Sequence, residues 1–371
     1  MKIPYGISNF DQIRSEGFFY ADKTPFLAVL EQSYRHVVFL RPRRFGKSTL
    51  VSLLEHYYDL GKRERFDELF TGLQVHEHPT EERNRYLVLT LDFSTVATDA
   101  GSDPLKRAFL ESVRSSVRTF LLKYRDRVPT LGDLYEGLES FQDAGALIDA
   151  VLAVIAATPH KLYLLIDEYD HFANRLLAGG AEDLYEAIVT KTGFVRSFYA
   201  TLKSGTRSGA VGRMFITGVS PLMLDNLSSG FNIATNASLD IGLEALAGFT
   251  RAETERAVDE FLAARPGLAA SPGLSDRSEL LRVMEEYYNG YRFAPGATER
   301  VFNSDMVLYF LSRIDRSREY PDNMLDRYVR TEYGHLQRIG TLSSTALGDR
   351  LSLLRSILSE GHIRSEIVEQ F

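Results

Sequence analysis

Two short stretches of the chain carry residue types that can handle a phosphate ester. The first is Arg41-Pro42-Arg43-Arg44-Phe45-Gly46-Lys47-Ser48-Thr49-Leu50. Gly-Lys-Ser-Thr after an apolar run and before a helical pattern is the layout of a phosphate cradle. Backbone N–H groups from Arg44, Phe45, Gly46, Lys47, Ser48 and Thr49 can curl around a β-phosphate, aided by the positive end of the helix dipole. Gly46 lets the backbone come close because it has no Cβ. Lys47 can reach the β- and γ-phosphates as a point charge, and the Ser48 hydroxyl can ligate Mg²⁺. The second stretch is Lys161-Leu162-Tyr163-Leu164-Leu165-Ile166-Asp167-Glu168-Tyr169-Asp170, an apolar run ending in acids. Acids at the end of a buried strand are costly unless they face a cavity or an ion. Beside a triphosphate, Asp167 is expected to hold Mg²⁺ and Glu168 to polarise the attacking water. Thr217, closing Arg213-Met214-Phe215-Ile216-Thr217-Gly218, stands where a γ-phosphate or water sensor is expected, between the two motif strands.

The elements that must position these groups are legible in the hydrophobic pattern. Residues 35–40 predict a buried strand ahead of the loop. After the loop, Leu50, Leu53, Leu54, Tyr57 and Tyr58 form one helical stripe, and Gly61 marks its end. Tyr86 to Ser94 reads as a strand whose Asp92 is either a cap or a group behind a metal ion. Helical patterns cover 104–126, 132–157 and 182–203, and Leu239-Asp240-Ile241 reads as a short strand. Asp22-Lys23-Thr24-Pro25 predicts a helix start, with Pro25 in the first turn. Strand–helix alternation over 1–245 predicts an α/β fold, a parallel sheet flanked by helices in the manner of phosphate-loop proteins. Thr250 with Glu253 predicts a capping box. Helices follow at about 250–264, 276–288, 304–314, 324–338 and 345–359. The expected division is a nucleotide-handling domain with an N-terminal extension at 1–245, a helical lid at 246–315 and a further helical segment at 316–371.

Composition narrows the classes. Of 371 residues, 44% are apolar and 25% charged, as in ordinary globular proteins. The net charge of −7 offers no global basic field to nucleic acid, though a local basic face remains open. Without cysteine there is no disulfide framework and no thiolate metal site, which suits a reducing cytoplasm. The N-terminus has no signal-peptide pattern, and no apolar run reaches the ~20 residues that span a bilayer. His76 and His78 beside Pro79 lack a third neighbouring ligand, so a metal there is not expected.

Taken in order, these motifs resemble the AAA-ATPase-like family of bacteria and archaea, often followed by a PD-(D/E)XK-type nuclease domain. The resemblance spans about residues 1–315. It rests on Ile3-Pro4-Tyr5-Gly6-Ile7, Tyr20-Ala21-Asp22-Lys23-Thr24, the 41–48 loop, Leu91-Asp92-Phe93-Ser94, Asp167-Glu168-Tyr169-Asp170, Thr217-Gly218-Val219-Ser220, Gly248-Phe249-Thr250 and Tyr288-Asn289-Gly290-Tyr291-Arg292-Phe293. The full loop pattern has Gly at position 41. The resemblance implies that Arg41 is the usual residue there. It also implies ATP and Mg²⁺ as ligands, a helical lid, and the ATPase side of a mobile or defence-type nuclease or effector. No nuclease motif is found, so that function is expected to be absent, truncated or on another chain. An arginine finger in cis or from a homo-oligomer neighbour is expected, with Arg196, Arg207 and Arg213 as candidates. Two other classes remain open: a slow nucleotide-gated switch and a DNA-handling subunit.

Overall fold

The computed structural model describes residues 1–98, 101–190, 192–221, 223, 232–270 and 273–326. The helices expected at 345–359 and over most of 324–338, and with them most of the segment at 316–371, lie outside the described residues.

Five strands form one sheet. They are β1 (His36–Leu40), β2 (Leu87–Asp92), β3 (Leu162–Asp167), β4 (Val211–Gly218) and β5 (Thr235–Asn236), in the order β2-β3-β4-β1-β5. Every pairing is parallel. Parallel strands need crossovers, so helices cover both faces and the strands read as continuous apolar runs. On one face Leu89, Leu164, Ile166, Met214 and Val38 pack under the helices Ser102–Tyr124, Ala144–Ala156 and Phe194–Arg207. On the other, Val37, Phe39, Tyr163, Leu165 and Phe215 pack under the helix Lys47–Tyr58. The fold is therefore α/β, as expected. The loop at 41–46 and the acids at 167–168 both emerge at the carboxyl ends of their strands, with β4 between them.

Residues 251–317 supply the helices Arg251–Ala263, Arg277–Tyr288 and Ser304–Ser317, which build a third core with Phe19 and Ala21. The Thr250 capping box forms with both bonds in place. Its acid does double duty: Glu253 also pairs with the buried Lys23 at 2.7 Å. That contact fixes the N-terminal segment against the first of these helices. Pro25 occupies the first turn of the helix Pro25–Ser33. Among the described residues no helix is long and apolar enough to cross a membrane.

Three expected elements differ. The helix expected at 132–157 is two, Thr130–Glu136 and Ala144–Ala156, because Asp143 caps the second at the Ala146 N–H. The one expected at 182–203 breaks into Glu182–Val189 and Phe194–Arg207, with Gly193 packed where a Cβ would collide with the Ile188 carbonyl. The strand expected at 239–241 is instead a 3₁₀ turn at Ile241–Leu243 capped by Asp240. Local polar caps outcompete continued periodicity in all but the Gly193 break.

Arg213 opens β4 at the end of the sheet remote from the loop. Its guanidinium forms a two-bond pair with Glu82 and donates to the Glu31 and Tyr34 carbonyls. Burial raises the Glu82 carboxyl, but hydrogen bonds from Arg213 and Tyr86 outweigh it, and the net shift is downward. A depressed acid adds stability that is full above its unfolded value of about 4.3 and fades as pH falls through the folded one. Glu82→Gln is therefore expected to cost about 1–2 kcal/mol at pH 7, after discount for its partial exposure. Thermal melts should show the gap closing below about pH 4. A constant gap across that range would refute the ionic origin.

Candidate functional site

The loop closes through two left-handed residues, Arg44 at φ 72° and Gly46 at φ 82°. Gly46 is the N-cap of the Lys47–Tyr58 helix, so the backbone N–H groups that follow point into the turn. The Lys47 side chain folds back across the loop. Its Nζ donates to the Pro42 carbonyl at 3.1 Å, and the residue is 4% exposed. Burial lowers its pKa, while Glu168, Asp167 and Asp170 oppose the loss.

The acids arrive from β3, two strands away. Asp167 and Ser48 line one cavity, which joins the two motifs. Burial pushes the Asp167 carboxyl up to about 6, with Ser48 resisting. Glu168 leaves the strand with φ at 51°, a conformation that costs a non-glycine residue of the order of 1 kcal/mol or more. This turn sends neighbouring carboxylates into different surroundings. Burial alone would raise Glu168, but His171, Lys47 and Arg43 outweigh it and hold it down to about 2. The Glu168 Oε2 lies 3.7 Å from His171 Nδ1 and has no hydrogen-bond partner among the described residues. His171 Nδ1 is in turn 3.1 Å from the Arg43 guanidinium. These groups, with Ser48, Asp92 and Ser94, line a cavity of about 250 Å³. Asp92 caps no helix: its carboxylate accepts from the Ser94 N–H (2.8 Å) in a turn, and the residue lines this cavity.

A larger cavity of about 360 Å³ adjoins it, sharing Arg43, Ser48 and Glu168. Arg43, Arg44, Phe45, Gly46, Lys47, Ser48 and Thr49 form one wall, and the N-terminal residues Gly6, Ile7 and Tyr20 another. Gly248, Phe249 and Asp305 close it. Arg44 bridges to the third core: its guanidinium meets Asp305 at 2.8 Å, and its carbonyl accepts from the Asp305 N–H. Phe45 is buried edge-on against Tyr291 and Phe293, and its carbonyl accepts from Gly248.

Not every expected residue gathers here. Thr217 is fully buried, its hydroxyl donates to the Phe39 carbonyl at 2.9 Å, and it lines neither cavity. Arg196 and Arg207 line neither cavity, and Arg213 is pinned at the far end of β4. Pattern reading left the role of Arg43 beside the cradle open and missed His171 and Asp305. The signal for His171 was its place one turn after Glu168 at the start of a helix, His171–Ala178. Arg41 points away from the cradle: 1% exposed, it lies between the Phe39 and Phe293 rings.

The buried Asp167 makes the site costly to fold. Its carboxyl is harder to ionise folded than unfolded, so stability falls as pH rises from about 4 to 6 and is flat above. By the size of that shift, Asp167→Asn is expected to stabilise the nucleotide-free protein by about 2–3 kcal/mol at pH 7. Differential scanning calorimetry at pH 4 and 7 checks this. A gain at pH 7 that is absent at pH 4 is expected, and a lower melting temperature at pH 7 would refute it.

The sequence profile of the family described as "Predicted AAA-ATPase" matches residues 4–228. An "Uncharacterized protein in vnfD 5'region" of Azotobacter chroococcum mcd 1 is 28% identical over 316 residues, which cover 84% of this chain and 52% of that protein. The chain thus spans about half the length of that curated relative. Among solved structures, a Walker-type ATPase of Pyrococcus abyssi, paby2304, superposes with a TM-score of 0.44 at 11% identity, covering 91% of this chain and 75% of that one. With the family profile matching more than half of its length, over the phosphate loop and both acids, this chain belongs to the predicted AAA-ATPase family.

Proposed function

We propose that the protein binds and hydrolyses ATP with Mg²⁺. One observation carries this: Ser48 and Arg43 of the cationic loop line one cavity with Asp167 and Glu168, so the loop and a pair of acids from separate strands meet at one point. The residues fit a magnesium ion. A hydroxyl and a carboxylate offer hard oxygen donors, and among the described residues no group of three or more His, Cys, Asp or Glu competes as a dedicated cage. Magnesium commonly takes one or two protein ligands and completes its shell with water and phosphate oxygens. Bound there, it would neutralise phosphate charge.

The chain's own groups divide the remaining work. The N–H groups of residues 44–49 bind the phosphates. Lys47 exchanges the Pro42 carbonyl for a phosphate oxygen. Glu168, ionised at neutral pH and with a free oxygen, orients the attacking water. Arg43 supplies the positive charge that Arg196, Arg207 and Arg213 are not placed to give. Its guanidinium rests on His171 beside Glu168, where charge develops on the transferred group. Thr217 acts at one remove, by tying β4 to β1 beneath the site. We place the protein in the cytoplasm on its lack of cysteine, with a nuclease or effector domain or subunit as the partner its family resemblance implies.

A second reading, a nucleotide-gated switch, draws on the Arg44–Asp305 contact. Occupancy of the loop would bias the helix Ser304–Ser317 directly. Slow turnover with nucleotide-dependent protection of that helix from hydrogen exchange would favour it over a fast hydrolase.

Steady-state ATP turnover tests the main reading. Glu168→Gln is expected to lower kcat by about 10²-fold or more while ATP still binds. Arg43→Ala should lower kcat by about 10²-fold with KM changed only a few-fold, as for a group acting in the transition state. Undiminished turnover in either variant would remove that residue from the mechanism.

A further inference from the structure

Two cavities open beside the amino ends of β2 and β3, at the opposite end of the sheet from the phosphate loop. One, of about 530 Å³, is lined by Arg63, Asn84, Arg85, Arg127 and His160, with Leu60, Gly61 and Glu64. The other, of about 330 Å³, is lined by Arg63, Arg83 and Arg85, with Thr80 and Glu81. They share Arg63 and Arg85 and so form one continuous groove. Arg63, Arg85 and Arg127 are exposed, and their side chains have no ion pair or hydrogen bond among the described residues. Arg83 lies over the Phe66 ring at 4.2 Å, which holds its guanidinium in place. Four guanidiniums against two carboxylates leave a local positive excess on a molecule whose net charge is −7.

The groove also holds a built polar group. Asn84 is 1% exposed and adopts φ 52°. Its N–H donates to the Tyr57 carbonyl and its Nδ2 to the Asp59 carbonyl at 2.8 Å. These bonds fix the amide orientation and leave Oδ1, a buried acceptor, with no partner among the described residues. A buried acceptor without a donor destabilises the fold unless something supplies one.

We propose that this groove binds the phosphodiester backbone of a nucleic-acid strand. Arg63, Arg85 and Arg127 contact successive phosphates, and Asn84 Oδ1 accepts from a sugar 2′-hydroxyl or a base N–H. Cations strung over two adjoining cavities suit a chain of phosphates better than a single anion. Guanidinium is the side chain that matches phosphate geometry with paired donors. The site is independent of the ATP reading. It lies past the carboxyl end of the Lys47–Tyr58 helix, whose amino end is the phosphate cradle.

The test uses the full chain with 5′-fluorescein-labelled dT20 and U20, read by fluorescence anisotropy from 50 to 200 mM NaCl. Binding of at least one strand is expected, weakening by about tenfold or more over that range. The double variant R85E/R127E removes two exposed charges. It should weaken binding at least tenfold and shallow the log–log salt slope by about 1.4. R63E alone should shift both in the same direction, and ATP turnover should match the wild type in both variants. Preference for U20 would assign the Asn84 acceptor to a 2′-hydroxyl, and equal binding to a base. Failure to bind either strand at 50 mM salt overturns the proposal, as does equal affinity in the charge-reversed variants. A rise in melting temperature with inorganic pyrophosphate that R85E/R127E abolishes, without binding of either strand, overturns it too, in favour of a small-anion site.

Discussion

The site rests on a cation that never meets the phosphate. The Arg41 guanidinium stacks between the Phe39 and Phe293 rings, at 4.2 and 4.0 Å from their centroids. It donates to the Leu40 and Ser238 carbonyls and to Leu243. Burial drags its pKa down to about 10, against the pull of Glu244. Glu244 meets it through its backbone carbonyl at 3.5 Å, not through its carboxylate. That carboxylate accepts instead from the Phe293 and Ala294 N–H groups, which holds the aromatic turn against the guanidinium. One residue thus joins the end of β1, the turn after β5 and the aromatic turn near 291–293. Phe45, inside the loop, packs on the same aromatics. A glycine at 41 would free the loop's first residue but leave no such anchor. The loop is shaped here by a buried cation and its ring stack, where the full motif relies on glycine flexibility.

With the loop fixed, the electrostatics of the acids follow. Asp167 and Glu168 are adjacent in sequence, yet one carboxyl is pushed up to about 6 and the other held down to about 2. Strand alternation begins the separation, and the left-handed turn at Glu168 completes it. Asp167 is the more buried of the two, beside Ser48, while Glu168 faces Lys47, Arg43 and His171. Pairs of carboxyls driven apart by environment are a signature of sites where each has its own task. Residues beneath keep the turn rigid. Asp170 accepts from the Val219 and Ser220 N–H groups and from Asn174, and Gly218 is packed so closely on Asp170 and Tyr169 that a Cβ would collide.

What could be read in the sequence is what short range decides. Strands β1, β3 and β4 are apolar runs with abrupt polar ends. The loop is a contiguous motif, and the Thr250 capping box lies within four residues. Each was legible, as was the parallel α/β class, because repeated crossovers leave no other economical sheet. The place of β4 between β1 and β3 followed from analogy alone, which sets the Thr217 strand between the two motif strands, and the sheet has that order. Nothing local says that Thr217 spends its hydroxyl on Phe39 or that Arg213 faces the remote end. Helix breaks at 143 and 193 escaped notice because the apolar period runs across them. Arg43, His171 and Asp305 come from three elements that meet only in the folded molecule. The arginines of the far groove, from positions 63 to 127, are scattered in the same way.

The strained positions explain why these distant elements had to meet. Arg44 and Glu168 are two of the non-glycine residues with positive φ, and both line the larger cavity. Each conformation persists only if the surroundings over-determine it. For Arg44 they do so through Asp305, which bonds both its guanidinium and its carbonyl. For Glu168 they do so through the Tyr169 N–H on the Thr217 carbonyl and the Asp170 clamp on 219–220. The phosphate loop therefore depends on the helices of 251–317, and the acids depend on β4. Removing either support would relax a backbone turn before it removed any group that touches phosphate. This architecture makes the third core part of the cradle itself, so that a force or ligand acting on the helix Ser304–Ser317 acts on the curvature of the loop.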